Sequence, residues 1–267
     1  MILISSTLTV VLLFFLSLLM PVMSFALPIY KIKKMKNFTS KEKLIVNIVV
    51  MGIIALINPL LLFFYVGFFL TVEFLYEYFN YRLSNVKKFD RIVVISLVVT
   101  LLMGGLLFYI KDDIINNMEY LMEFYEKNFQ LSKTESISVF NDMKANSLYY
   151  LFFYSILSIF TMYVSLDLND YEEWKISFEW LLLYIGSYFI IRLLKVDNFF
   201  INNLLNIGET VFIFYGIKSI YSILSKKISF KGLNNMIAII IAILFPFGTF
   251  IFGVFEGFKI DKFNNTK

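Results

Sequence analysis

The stretch "IVVISLVVTLLMGGLLFYI", Ile92 to Ile110, decides the fold. It carries no charge and is interrupted only by Gly104-Gly105. At 1.5 Å per residue it makes a helix of roughly 28 Å, close to the thickness of a bilayer's hydrocarbon core. The whole chain follows the same chemistry. Of its 267 residues 59% are hydrophobic and 16% charged, where soluble domains carry about 25% charge. One water-facing core cannot bury that much apolar surface, so a soluble enzyme, a disordered chain and a coiled coil are excluded.

Working outward, Arg82, Lys87, Lys88 and Arg91 precede the span and place its start in the cytoplasm by the positive-inside rule. Residues 111–147 are then extracytoplasmic. They hold four Lys and seven acids, and Ile114, Met118, Leu121, Tyr125 and Phe129 recur at helical spacing. Ser132-Lys133-Thr134-Glu135 has the spacing of a capping box, from which one helix is expected to run on into a span over 148–166. On the other side, Leu44 to Ile57 and Leu60 to Asn80 form a hairpin turning at Asn58-Pro59. The Lys-rich loop 31–43 is the strongest cytoplasmic anchor, and reads as a topology signal rather than a nucleic-acid patch. Before it, residues 2–20 span, and 21–30, with Pro21 and Pro28, form a broken or re-entrant piece.

Beyond the acidic loop 167–175, residues 176–194 span, entered through Trp174 and Trp180 as an interfacial belt. Residues 204–224 span next, Lys226, Lys227 and Lys231 are cytoplasmic, and a last span over 235–255 is kinked at Pro246. The expected architecture is all-α: a single integral membrane helical bundle over 1–267, with seven to eight transmembrane segments and Pro-broken helices.

There is no Cys and no His. Thiolate and imidazole chemistry are absent, and with them haem and the usual zinc sites. Chemistry falls to carboxylates, Lys, Ser/Thr and Tyr. The excess of Phe, Ile, Lys and Asn reads as a low-GC bacterial genome, which accounts for the 32 Phe and 17 Tyr. No phosphate-binding glycine loop, dinucleotide fingerprint or hydrolase elbow is present. The chain is therefore expected to be no enzyme, with no cofactor and no metal. Ionisable side chains inside spans are the candidate site residues. Glu209 and Arg192, counted from a turn at about residue 199, fall at similar depth on adjacent helices and read as a pair. Glu73 and Glu77, four apart, share a helix face and can hold a cation or a proton. The competing reading has Arg82 and Lys87 neutralising them among the headgroups. Asn202, Asn203 and Asn206 read as helix caps. Gly253-x-x-x-Gly257 has the spacing for close helix packing.

Four segments carry a family resemblance: "LSLLMPVMSFALPIYKIKK" (16–34), "INPLLLFFYVGFFLTVEFLYEYF" (57–79), "NNLLNIGETVFIFYGIKSIYSIL" (202–224) and "FGVFEGFKIDKF" (252–263). In order and character they resemble the YybS-like family of bacterial multi-pass membrane proteins, whose fold is similar to the substrate-binding subunits of energy-coupling-factor transporters. The resemblance implies a cell-membrane module that binds a small molecule or ion and acts in transport, with the lipid bilayer and a membrane protein partner around it. Of the small-xxx-small docking motif of such subunits only Ser5-x-x-x-Thr9 is present. The alternative expectation is a non-catalytic scaffold in a membrane complex, contacting partners through 111–147.

Overall fold

The computed structural model describes residues 2–129, 132–196 and 198–259. The chain is 86% helix, with no strand among the described residues. The helices are α1 (Ile2–Leu19), α2 (Ala26–Lys34), α3 (Ser40–Ile57), α4 (Pro59–Phe64), α5 (Thr71–Tyr81), α6 (Lys88–Tyr109) and α7 (Lys111–Asn116). There follow α8 (Met118–Phe129), α9 (Lys133–Ala145), α10 (Ser147–Leu166), α11 (Glu179–Leu193), α12 (Phe199–Leu224), α13 (Lys231–Leu244) and α14 (Pro246–Lys259).

Among the described residues five helical runs are long and apolar enough to cross a membrane: α1, the continuous Pro59–Tyr81 run, α6, α10 and α12. The expected seven to eight crossings differ from this for local reasons. The first turns of α3 carry Lys41, Glu42 and Lys43. At 15 residues, α11 spans only roughly 22 Å. The last expected span is not one straight rod, because α13 and α14 meet at a 117° bend. Pro246 opens α14 and cannot donate a backbone hydrogen bond to continue α13.

Polar contacts gather the basic loops at one end of the bundle. Lys33 Nζ donates to the Ser165 carbonyl (3.2 Å) and Lys87 Nζ to the Ile176 carbonyl (3.2 Å). Lys88 pairs with Asp167 (3.3 Å) and Asp170 (3.1 Å), and Lys231 donates to Asn169 Oδ1 (2.9 Å). Both ends of the bent pair reach this basic end. Lys231 opens α13 there, and near the close of α14 Phe258 packs at a tilt against Phe178 while Gly257 lies against Ile176. The α13–α14 unit is a re-entrant hairpin rather than a crossing.

Glycines set how closely its return arm packs. A Cβ on Gly253 would sit 2.1 Å from the Phe212 carbonyl oxygen, and one on Gly216 would sit 2.2 Å from that of Thr249. Backbone thus meets backbone between α12 and α14, as the Gly-x-x-x-Gly spacing predicts.

Several local expectations hold. Asn58 is extended and its side chain accepts from the Leu60 amide, with Pro59 at the first helical position, so the hairpin turns where its residues dictate. Ser132–Glu135 forms the expected capping box, and the structure adds a second, unforeseen one at Thr39–Glu42. Their donors hold the Glu42 and Glu135 carboxyls below the usual carboxylate range.

Others are corrected. The helix expected to run from Lys133 into the bilayer is two helices broken at Asn146. There Asn203, fully buried, accepts from the Tyr149 amide and donates to the Ala145 carbonyl. It therefore clamps the neighbouring junction, and the capping role on α12 belongs to Asn198. Trp174 is no lipid-facing belt residue. It is buried against Tyr171, Tyr163 and Phe160. Trp180 donates to Asp90, which also accepts from the Ser177 amide and hydroxyl. The side chains of Met118, Leu121, Tyr125 and Phe129, and residues 260–263 of the closing segment, lie outside the described residues.

Candidate functional site

Glu73 stands in the third position of α5, one turn beyond a π-helical turn over Tyr65–Leu70. A π turn inserts one residue into the helical register and re-aims the side chains after it. Thr71 Oγ1 donates back to the Val66 carbonyl across this wide turn (3.0 Å). The re-aimed face meets α2. There Lys31, 1% exposed, forms an ion pair with Glu73, 8% exposed. The Lys31 ammonium also donates to the Tyr65 hydroxyl at 3.4 Å and lies 5.6 Å from its ring centre. One turn further along α5, Glu77 pairs with Lys43 at 3.0 Å in a far more open setting.

Glu73 and Glu77 thus share a face, as their spacing predicts, and each carboxylate has its own lysine. Those lysines come from the segment read as a solvated cytoplasmic anchor. Among the described residues the partners of the two glutamates are Lys31 and Lys43, not the expected Arg82 and Lys87. Nor is Lys31 in that loop: Pro28 and Leu27 bury the same helix face, and α2 carries Lys31 into the bundle. The arrangement fixes the broken N-terminal segment to the Pro59–Tyr81 run through a desolvated charge pair. Among the described residues no group of three acids could hold a metal ion.

Glu209 and Arg192 are not brought together. The connection between α11 and α12 is centred at residue 196, four residues from Arg192 and thirteen from Glu209. The nine-residue mismatch places them roughly 13 Å apart in depth. Arg192 is exposed at the helix end, its guanidinium over the Tyr188 ring at 5.8 Å. Glu209 is half-buried near Tyr184, where Gly208 lets α11 and α12 approach closely.

A recess lies elsewhere. A cavity of about 500 Å³ runs between α10, α12 and α13, closed at one point by Pro246. Phe153, Leu157, Ile213, Ile217, Ile239 and Ala242 supply apolar walls. Thr161, Thr210 and Asn235 supply polar points. Of the lining residues, Phe153 and Ile243 are exposed. None of Glu73, Glu77, Arg192 and Glu209 lines it. Volume, apolar walls and a few polar groups are the marks of a small-molecule site.

The space lies beside the bend between α13 and α14, whose return arm is drawn onto α12 at Gly216 and Gly253. The sequence signals that could have marked it are faint: Tyr149, Phe153, Leu157, Thr161 and Ser165 at four-residue spacing, and Asn235 within an apolar run. A buried Lys218, 5.5 Å from the Tyr215 ring centre, was likewise not singled out as a site residue by its sequence position. Comparison with known proteins adds no neighbour: no family model, no curated protein and no solved structure matches the chain.

Proposed function

We propose that this chain is a non-enzymatic module of a bacterial cytoplasmic membrane that binds a small molecule within its helical bundle and serves in transport. The observation that carries the reading is the 500 Å³ cavity between α10, α12 and α13. Its walls are apolar enough to hold an organic ligand in the bilayer, and its polar points are few enough to orient one. The resemblance to the YybS-like family and to energy-coupling-factor substrate-binding subunits points the same way. Glu73 and Lys31 serve this module by fixing α2, not by touching the ligand.

The test is mass spectrometry of organic extracts from detergent-purified protein, wild type against Ala242→Trp, which fills the cavity from α13. The expected result is a molecule retained by the wild type and lost from the variant. Extracts free of any such molecule, with identical thermal stability of the two proteins, would overturn the reading. A second reading, a scaffold in a membrane complex with a membrane protein partner, is favoured by one observation. Tyr120 and Phe124 lie one turn apart on α8, both exposed, outside the spanning runs. Crosslinking through Phe124 replaced by a photoreactive phenylalanine tests it, and labelling of lipid alone counts against it.

A further inference from the structure

The cavity is long rather than round. A sphere of 500 Å³ is only roughly 10 Å across, yet the lining on α10 runs from Tyr149 to Ser165, roughly 24 Å of helix. Tyr149, Phe153, Leu157, Thr161 and Ser165 form one continuous stripe, and Asn235, Ile239, Ala242 and Ile243 form another on α13. Such a slot suits an extended chain.

One end of the slot is basic. At the basic end Ser165 and Asn235 line the slot. Lys33 Nζ sits on the Ser165 carbonyl, and Lys231, one turn before Asn235, donates to Asn169. Both ammonium groups have neutral oxygen partners, and neither has a carboxylate within 4 Å among the described residues. The nearby Asp167 and Asp170 are taken up by Lys88. Asn235 leaves its buried amide oxygen without a hydrogen-bond partner among the described residues, so the amide can turn either a donor or an acceptor to a headgroup. The walls between carry no charge.

We infer that the slot holds a single-chain amphiphile with an anionic head: the chain lies along α10 and α13, and the head sits at the basic end between Lys33 and Lys231. This rests on the proposed small-molecule role and names the ligand class. Oleate serves as the probe, read as bound mass by native mass spectrometry of the full chain in detergent. Methyl oleate and dioleoyl phosphatidylglycerol are the comparison probes.

The expected result is one oleate per chain, with methyl oleate at least tenfold weaker. Oleate binding is also expected to fall at least tenfold in Ala242→Trp and in the Lys33→Glu/Lys231→Glu double variant. Should Ala242→Trp fail to fold, Leu157→Trp fills the same slot from α10. Phosphatidylglycerol that binds as tightly as oleate and displaces it would overturn the inference in favour of a bilayer lipid. Absent oleate binding, with a different co-purified molecule lost from Ala242→Trp, would overturn the inference and leave the proposed function standing. No bound molecule of any kind, with no effect of either tryptophan, would overturn both.

Discussion

Replacing Glu73 by Leu leaves the Lys31 ammonium in a site from which water is excluded, with only the Tyr65 hydroxyl at 3.4 Å to receive it. Replacing Lys31 by Met strands the carboxylate in the same way. The magnitude has a ceiling set by neutralisation. At pH 7 an ordinary ammonium gives up its proton for about 4.6 kcal/mol, and an ordinary carboxylate takes one up for about 3.7 kcal/mol. Breaking a buried pair costs about 3–5 kcal/mol in general, so each single variant is expected to lose between about 3 kcal/mol and its ceiling. The Lys31→Met/Glu73→Leu double variant removes both charges and refills their volume, and is expected within about 1 kcal/mol of the wild type. Equilibrium unfolding in mixed micelles, arranged as a double-mutant cycle, reads the coupling directly. Single variants that lose less than about 1 kcal/mol, or a double variant that loses the sum of the two within about 0.5 kcal/mol, would refute the account of a desolvated pair.

Other outcomes follow from the same geometry. Gly253→Ala puts a methyl 2.1 Å from the Phe212 carbonyl oxygen, where such contacts need about 3.3 Å, so α14 must move off α12 by roughly 1.2 Å. A lowered thermal midpoint and a new protease cut near Pro246 are expected, whereas Gly105→Ala, which meets open space, changes neither. Asp90→Ala removes three hydrogen bonds from Ser177 and Trp180, and Trp180 emission is expected to change as the start of α11 loosens. Acid acts on the helix caps. The Glu42 and Glu135 carboxyls titrate below their ordinary value, so their contribution is complete above that value and disappears as pH falls through the lowered one. Helicity measured by circular dichroism is expected to fall below about pH 4, and Glu135→Gln, which still caps as a neutral amide, to flatten that change.

Features written in contiguous residues were legible. The Asn58-Pro59 hairpin, the Ser132–Glu135 capping box and the α6 span each depend on a few neighbours. The basic loops meet at one end because charge placement along the chain dictates it. What depended on a turn's position was not legible. A turn centre taken at 199 instead of 196 moves Arg192 and Glu209 in opposite directions, and a difference of three residues there separates the pair by six more. Lys31 read as one of a cluster of lysines, because composition does not show that Leu27 and Pro28 share its buried face. The cavity was invisible, since its walls come from 149–165, 210–217 and 235–246, which meet only when α13 and α14 bend apart.

The fold-back at Phe245-Pro246 has a consequence for biogenesis. A segment that dips in and returns on the side it came from requires no stretch of chain to be threaded through the insertion machinery. Residues 231–259 follow α12 in the chain and can wedge between helices made before them. The slot beside α10 is therefore completed from one leaflet alone.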